Sequence, residues 1–184
     1  MALEVAIRRQ EQRNALETWR LRLSEEPYVH KRVVEAILPV FETWMQHKDG
    51  RLTYRLTQII TGHGCFGDYL YKIGRETTAN CHHCDSGEGD SATHTLMQCS
   101  TWELERRILM DRIGPNLSLP AVVTAMLVGD SNWNAMVTFC ETVMVKKETA
   151  ERIRKRANFA QRRIRGSGDT NGNQRPGNQY NLPE

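Results

Sequence analysis

Apolar positions recur at helical spacing along most of the first 145 residues. Residues 2–23 predict a first helix, because their apolar side chains recur on one face. Residues 28–47 predict a second helix with a wide apolar face, which Pro39 should kink or split. The pair Asp49-Gly50 is typical of a helix end.

Glycines divide the next apolar stretch. Residues 52–73 predict two short helices separated by Gly62 and Gly64. Ser100 and Glu103 have the spacing of a capping box. Three further helices follow: residues 101–113, residues 119–128 after Ser118, and a long one from about Ser131 with Trp133, Val137, Cys140 and Met144 as its inner stripe. No convincing strand is present, so the sequence predicts a mainly α fold, with at most a small β-turn element within residues 81–99.

The stretch 81–99 has a different character. It reads Cys81-x2-Cys84-x9-His94-x4-Cys99, which places three thiols and one imidazole within a short segment. This is a complete tetrahedral Cys₃His ligand set for Zn²⁺, and it leaves no open position for a substrate. The sequence therefore predicts one structural zinc ion in a small knuckle inserted between helices.

Other interpretations of these side chains are open. The thiols of Cys81 and Cys84 could be free or form a redox pair, although a redox C-x-x-C is expected beside a βαβ pattern, which is absent here. Four further side chains could compete for the metal and rank below the main set: His63, Cys65, His82 and His83.

Cysteine usage and hydropathy limit the cellular setting. Five cysteines are an odd number, and three of them belong to the predicted metal site, which favours a reducing compartment over a disulfide framework. The N-terminal residues have no apolar signal core. The longest apolar run, residues 117–128, is too short to span a bilayer, so we expect no membrane association.

Charge is unevenly distributed. Residues 146–165 hold nine Lys or Arg and two Glu, a local net charge of +7 that leaves −4 for the rest of the chain. Such a basic arm favours contacts with nucleic-acid phosphates. The candidate contacts are Lys146, Lys147, Arg152, Arg154, Lys155, Arg156, Arg162, Arg163 and Arg165. A merely solvated helix is the alternative, and apolar residues are too scarce for membrane insertion.

Residues 166–184 are rich in Gly, Asn, Gln and Pro, and they predict a disordered tail. The loop between Cys84 and His94 is acidic and has no aromatic residue. The knuckle alone should therefore bind nucleic acid weakly, and its first role should be to hold the helices before and after it together.

Together, these features resemble one family. Residues 51–99 carry Gly62-His63-Gly64, then Phe66 and Tyr69-Leu70, then the Cys-Cys-His-Cys knuckle. This arrangement resembles the C-terminal region of non-LTR retrotransposon reverse transcriptases, above all the ribosomal-DNA-inserting type-1 elements of arthropods. The similarity continues upstream through FETWMQHKDGRLTYRLTQ and downstream through LSLPAVVTAMLVG and FCETVMVKKE, so that it covers most of residues 10–150.

The resemblance implies a role and a location. In that family the cysteine-rich region lies in cis with an endonuclease and a reverse transcriptase, and it helps to bind template RNA or target DNA during target-primed reverse transcription. By resemblance the zinc ligands are Cys81, Cys84, His94 and Cys99, and the location is nuclear, including the nucleolus. The chain lacks a Tyr-x-Asp-Asp motif and clustered endonuclease acids. We therefore expect a truncated copy or a fragment of such a polyprotein, without catalytic activity.

The sequence-based hypothesis has four segments. N-terminal helices occupy 1–50, a zinc-knuckle helical domain 51–145, a basic arm 146–165 and the tail 166–184. The expected function is non-catalytic binding of RNA or DNA. The competing hypothesis is a structural zinc domain that braces the polymerase or binds a protein partner without touching nucleic acid.

Overall fold

The described part of the chain is mainly helical. The computed structural model describes residues 2–25, 31–47 and 50–168, and no strand occurs among them. The helices are α1 (Ala2–Glu25), α2 (Lys31–Ile37), α3 (Phe41–Gln46), α4 (Tyr54–Thr61), α5 (Gly67–Lys72), α6 (Ala92–Met97), α7 (Glu103–Ile113), α8 (Leu119–Met126) and α9 (Asp130–Gly168). The one extended feature in these ranges is an antiparallel bridge between Asn80 and Gly89. The predicted fold class is confirmed.

Proline and glycine place two of the helix boundaries. A 3₁₀ turn, Leu38–Val40, separates α2 from α3, because Pro39 has no N–H to donate to the preceding turn. Helix α4 ends at Gly62, whose φ of 73° lies in the left-handed region that glycine adopts without strain. Both breaks agree with the predictions from the sequence.

The predicted capping box does not form. Ser100 lies inside a 3₁₀ turn, Ser100–Trp102, and Trp102 holds the N-cap position of α7 without a side-chain hydrogen bond. The Glu103 carboxylate pairs with Arg107 one turn later and does not reach back. The 3₁₀ turn starts directly after Cys99, with the Trp102 N–H donating to the Cys99 carbonyl. The 3₁₀ turn that follows Cys99 thus decides where α7 begins.

A single apolar core lies within the first compact unit, Met1–Lys147, and none of its described members comes from α1. It contains fully buried side chains from α4 (Leu56), α8 (Val122) and α9 (Met136). Of the predicted inner stripe of α9, Trp133, Cys140 and Met144 are buried and Val137 packs against the core while partly exposed. Cys81, Cys99 and Trp102 belong to the same core, so the knuckle is continuous with it.

Helix α1 packs through one apolar stripe. Leu16 and Leu23 are partly buried, whereas Trp19 is 58% exposed. All three line an apolar cavity of about 350 Å³ together with side chains of the α2–α3 segment, including Ile37 and Trp44.

The second compact unit, Glu148–Glu184, contains the C-terminal part of α9. Residues 166–168 are helical, so the predicted disordered tail does not begin at residue 166, and residues 169–184 lie outside the described part of the chain. The proposed boundaries at residues 50, 145 and 165 stay predictions. In the described ranges, no helix has both the length and the apolar character that a bilayer crossing requires.

Candidate metal centre

Four predicted ligands converge on one point. The ligand atoms of Cys81, Cys84, His94 and Cys99 all lie within 4.8 Å of one another. The Sγ atoms of Cys81 and Cys99 are 3.9 Å apart, and Cys84 Sγ lies 3.3 Å from His94 Nε2. Zn–S bonds of about 2.3 Å in a tetrahedron place two sulfurs about 3.8 Å apart, so these spacings fit one tetrahedral ion. They do not fit a disulfide, whose sulfurs lie about 2.05 Å apart.

A short bridge holds the first pair of ligands. The Cys81 N–H donates to the Glu88 carbonyl at 2.8 Å, and the Asp90 N–H donates to the Ala79 carbonyl at 2.8 Å. The chain between them turns back through Gly87, whose φ of 71° is left-handed. Inside the turn the His83 N–H points at Cys81 Sγ, 3.4 Å away, which favours the thiolate that a metal needs.

Helix α6 supplies the imidazole. Ser91 is its N-cap and accepts a hydrogen bond from the His94 N–H at 2.9 Å. The His94 ring is buried, and its Nδ1 lies 2.9 Å from a carboxylate oxygen of Glu88. A proton on Nδ1 shared with Glu88 leaves Nε2 as the lone-pair donor toward the thiols, which is the usual arrangement of a metal-binding histidine.

Cys99 follows the end of α6. Its N–H donates to the His94 carbonyl at 2.8 Å, so two ligands are joined through one helical turn. Arg106 from α7 completes this end, because its guanidinium donates to the carbonyls of Leu96 (3.1 Å) and Cys99 (2.6 Å). A Zn²⁺ ion with three thiolates carries one net negative charge, which a guanidinium at this position would partly offset.

The three thiols differ electrostatically when no metal is bound. Hydrogen bonding to Ser86 lowers the pKa of Cys84 to about 6, against the smaller opposing effect of burial. Burial raises the pKa of Cys81 to about 12 and also raises the pKa of Cys99. Cys84 is therefore the most readily ionised of the three thiols, and binding of a metal would require the two buried thiols to lose their protons.

The competing side chains are held elsewhere. His63 stacks on Tyr69 with ring centroids 4.9 Å apart, and the buried Cys65 donates its N–H to Gln58. His82 is exposed, and the His83 ring lies against Trp102. Within the described residues, the cluster of potential ligands contains the four predicted ones and no other.

A buried ion pair adjoins the ligand loop. Lys147 is 0% exposed, and its Nζ lies 2.5 Å from Asp90 Oδ1 and 5.4 Å from the Phe66 ring centroid. Asp90 Oδ2 accepts the Gly67 N–H at 3.0 Å. The prediction that Lys147 contacts phosphates is wrong, because its ammonium group is enclosed by the core and paired with a carboxylate.

The remaining predicted phosphate contacts lie in α9. Lys146 donates to Glu105 at 2.6 Å and sits 5.6 Å from the Trp102 ring centroid. The side chains of Arg152, Lys155 and Arg156 are exposed, whereas Arg154 is partly buried. The side chains of Arg162, Arg163 and Arg165 lie outside the described part of the chain, although their backbone is helical.

Three structurally important residues were not found from the sequence. Glu88 and Asp90 were interpreted only as part of an acidic loop, yet one orients His94 and the other anchors Lys147. Arg106 was not singled out at all. Their roles depend on contacts that no local spacing encodes.

Comparisons of the chain with protein-family models, with curated proteins and with solved structures find no match. The four converging ligands therefore carry the functional argument by themselves.

Proposed function

We propose that the chain binds one structural Zn²⁺ through Cys81, Cys84, His94 and Cys99. The observation that carries this proposal is the convergence of the four ligand atoms to within 4.8 Å, in a donor set of three sulfurs and one nitrogen. Three of the four ligands are buried, which suits a metal that stabilises the fold and not one that meets a substrate.

Metal analysis tests this assignment. The purified chain should contain one zinc per molecule, and the variant Cys99→Ser should lose it. Cys140→Ser is the matched control, since Cys140 is also buried but lies in α9 outside the ligand cluster. Absence of stoichiometric zinc from the parent chain, or its full retention by Cys99→Ser, would contradict the assignment.

We further propose that the chain is a non-catalytic nucleic-acid-binding module whose interface is the C-terminal part of α9. Its support is the exposed cationic surface formed by Arg152, Lys155 and Arg156. Such side chains bind phosphates largely independently of sequence, and each contact releases counterions. The metal centre has a different role, because its loop bears acids at Asp85 and Glu88.

Salt titration of binding tests this interface. Replacing Arg152, Lys155 and Arg156 by Gln should weaken binding to a single-stranded RNA and reduce the slope of log K against log salt by about 2. The matched control replaces three exposed arginines of α1, Arg8, Arg9 and Arg13, by Gln. Equal affinity and slope for the arm variant and the parent chain would contradict the proposal.

The family resemblance supplies the wider context of this proposal. The chain would correspond to the C-terminal region of a retrotransposon reverse transcriptase, acting in the nucleus beside the polymerase and binding template RNA or target DNA. It would contribute no catalysis of its own, so polymerase assays of the isolated chain should show no nucleotide incorporation.

One surface feature favours the structural alternative. Leu104 and Ile108 of α7 are 67% and 58% exposed, and Ile108 borders a groove of about 460 Å³ between α7 and α9. An apolar surface of this kind suits a protein partner such as a polymerase domain. If the arm variant binds nucleic acid as the parent does, but Leu104→Glu abolishes association with such a domain, the bracing role is favoured.

A further inference from the structure

One aromatic side chain stands out on the basic arm. Phe159 is 65% exposed in the C-terminal part of α9. It follows Arg152, Lys155 and Arg156 by seven, four and three residues, which are the spacings of neighbours on one helix face. At about 100° per residue, all three cations project within about 60° of Phe159 around the helix axis.

The charges around Phe159 make this face cationic. Lys155 pairs with Glu151 one turn earlier, and no ion pair is described for Arg152 or Arg156 within the part of the chain that the structure covers. An exposed phenyl ring framed by guanidinium groups offers one flat apolar surface and adjacent positive charge. Phosphates can meet the charges while a planar ring stacks on the phenyl face.

We propose that Phe159 is a base-stacking residue and that the arm therefore binds single-stranded nucleic acid in preference to duplex. This inference rests on the proposed function and specifies its ligand. In a duplex the base faces are covered by their neighbours, so Phe159 can contact only an unstacked base. Stacking is tolerant of sequence, because every base has a π face.

Another exposed apolar side chain in the described part of the arm serves as a control. Ile153 is 62% exposed, similar to Phe159, but it precedes Phe159 by six residues and so projects about 120° away from it. If binding used general apolar contact, the two positions would contribute alike. If binding uses stacking on the cationic face, Phe159 alone contributes.

Anisotropy measurements with labelled oligonucleotides test the proposal on the full zinc-loaded chain. The probes are a short oligouridylate, an oligothymidylate and a DNA duplex of matched length. The variants Phe159→Leu, Phe159→Ala and Phe159→Trp are compared with Ile153→Ala. Leu keeps apolar bulk without a π face, while Trp keeps and enlarges the aromatic surface.

We expect the parent chain to bind both single strands more tightly than the duplex. Phe159→Leu and Phe159→Ala should weaken single-strand binding about fivefold to tenfold, with Phe159→Trp and Ile153→Ala near the parent. The slope of log K against log salt should stay constant, since stacking releases no counterions. The inference would be overturned if Phe159→Ala lost affinity for single strands while Phe159→Leu kept the parent affinity. It would also be overturned if the parent chain bound duplex and single strands equally.

The outcomes separate this inference from the proposed function. If the affinity depends on salt and falls in the arm variant but is the same in the Phe159 variants as in the parent, only the stacking role is overturned. Absence of binding to all three probes overturns both.

Discussion

At the scale of single residues, one carboxylate orients the imidazole of the candidate metal centre. Glu88 lies 2.9 Å from His94 Nδ1, and this contact selects Nε2 as the atom that faces the thiols. Outer carboxylates of this kind raise the basicity of the ligand and fix its ring. Asp85 lies on the same loop, is exposed, and has no described contact with the ligands within the residues that the structure covers.

We therefore expect Glu88→Ala to weaken zinc binding by about tenfold or more, while Asp85→Ala has little effect. Competition with a coloured chelator at constant pH measures both affinities. Because each variant removes one acid from the same loop, a general electrostatic effect would weaken both equally. That result would count against an orienting role for Glu88.

The buried ion pair between Lys147 and Asp90 leads to a second prediction at this scale. Both side chains are buried, so removing one partner leaves a charge with neither water nor counter-charge. Lys147→Met should lower the free energy of unfolding by about 3–5 kcal/mol. The double variant Asp90→Asn with Lys147→Met should recover much of this loss, because an amide can still accept the Gly67 N–H.

Urea denaturation with saturating zinc provides the measurement, arranged as a double-mutant cycle. A strong positive coupling between the two sites is expected. If the double variant loses as much free energy of unfolding as the two single variants together, the two charges do not depend on each other.

The limits of sequence reasoning are clearest for these residues. The four ligands could be predicted because their chemistry and spacing are both local, within residues 81–99. The Asp90–Lys147 pair joins residues 57 positions apart, so no local pattern in either stretch could link the two charges. Composition therefore assigned Lys147 to the basic arm, while tertiary packing placed it in the core. Glu88 and Asp85 are indistinguishable until the loop is folded.

At the scale of helices, α5 approaches the ligand loop unusually closely. Gly67 is the first residue of α5, and a Cβ built there would lie 2.8 Å from the Ala79 carbonyl oxygen and 3.1 Å from Asp90 Cβ. The glycine N–H also donates to Asp90. A side chain at this position would force the helix away from the strand-like bridge that holds Cys81.

Gly67→Ala should therefore destabilise the chain by about 1–3 kcal/mol, as overpacking of a close contact does. Gly129→Ala is the matched control, since no atom lies within 4 Å of its Cβ and its φ is not left-handed. Thermal unfolding followed by circular dichroism compares the two. Equal melting temperatures for both variants would show that α5 can shift without cost.

Helix boundaries could be predicted where proline or glycine sets them and less well where tertiary contacts do. Pro39 and Gly62 act through their own backbone restrictions, so sequence placed both breaks. The start of α7 is different, because hydrogen bonds to Cys99 and His83 set the backbone there. Thr101 donates its hydroxyl to the His83 carbonyl there, and a 3₁₀ turn replaces the capping box.

At the scale of the molecule, the candidate metal centre is part of the main core. Cys81 and Cys99 belong to the same buried cluster as Leu56, Val122 and Met144. Structural zinc contributes about 10–16 kcal/mol of apparent binding free energy, whereas a domain's net stability is about 5–15 kcal/mol. A zinc ion held at this site would thus contribute a free energy comparable to the net stability of a whole domain.

Removal of the metal should consequently unfold more than the loop that holds it. We expect chelation to abolish amide-exchange protection in α4, α8 and the buried part of α9 as well as in residues 79–99. Cys140→Ala, which leaves the ligands in place, should keep protection before chelator is added and lose it afterwards. Loss of protection confined to residues 79–99 would instead show that the helices form a core without the metal. The metal would then stabilise only the segment that holds it.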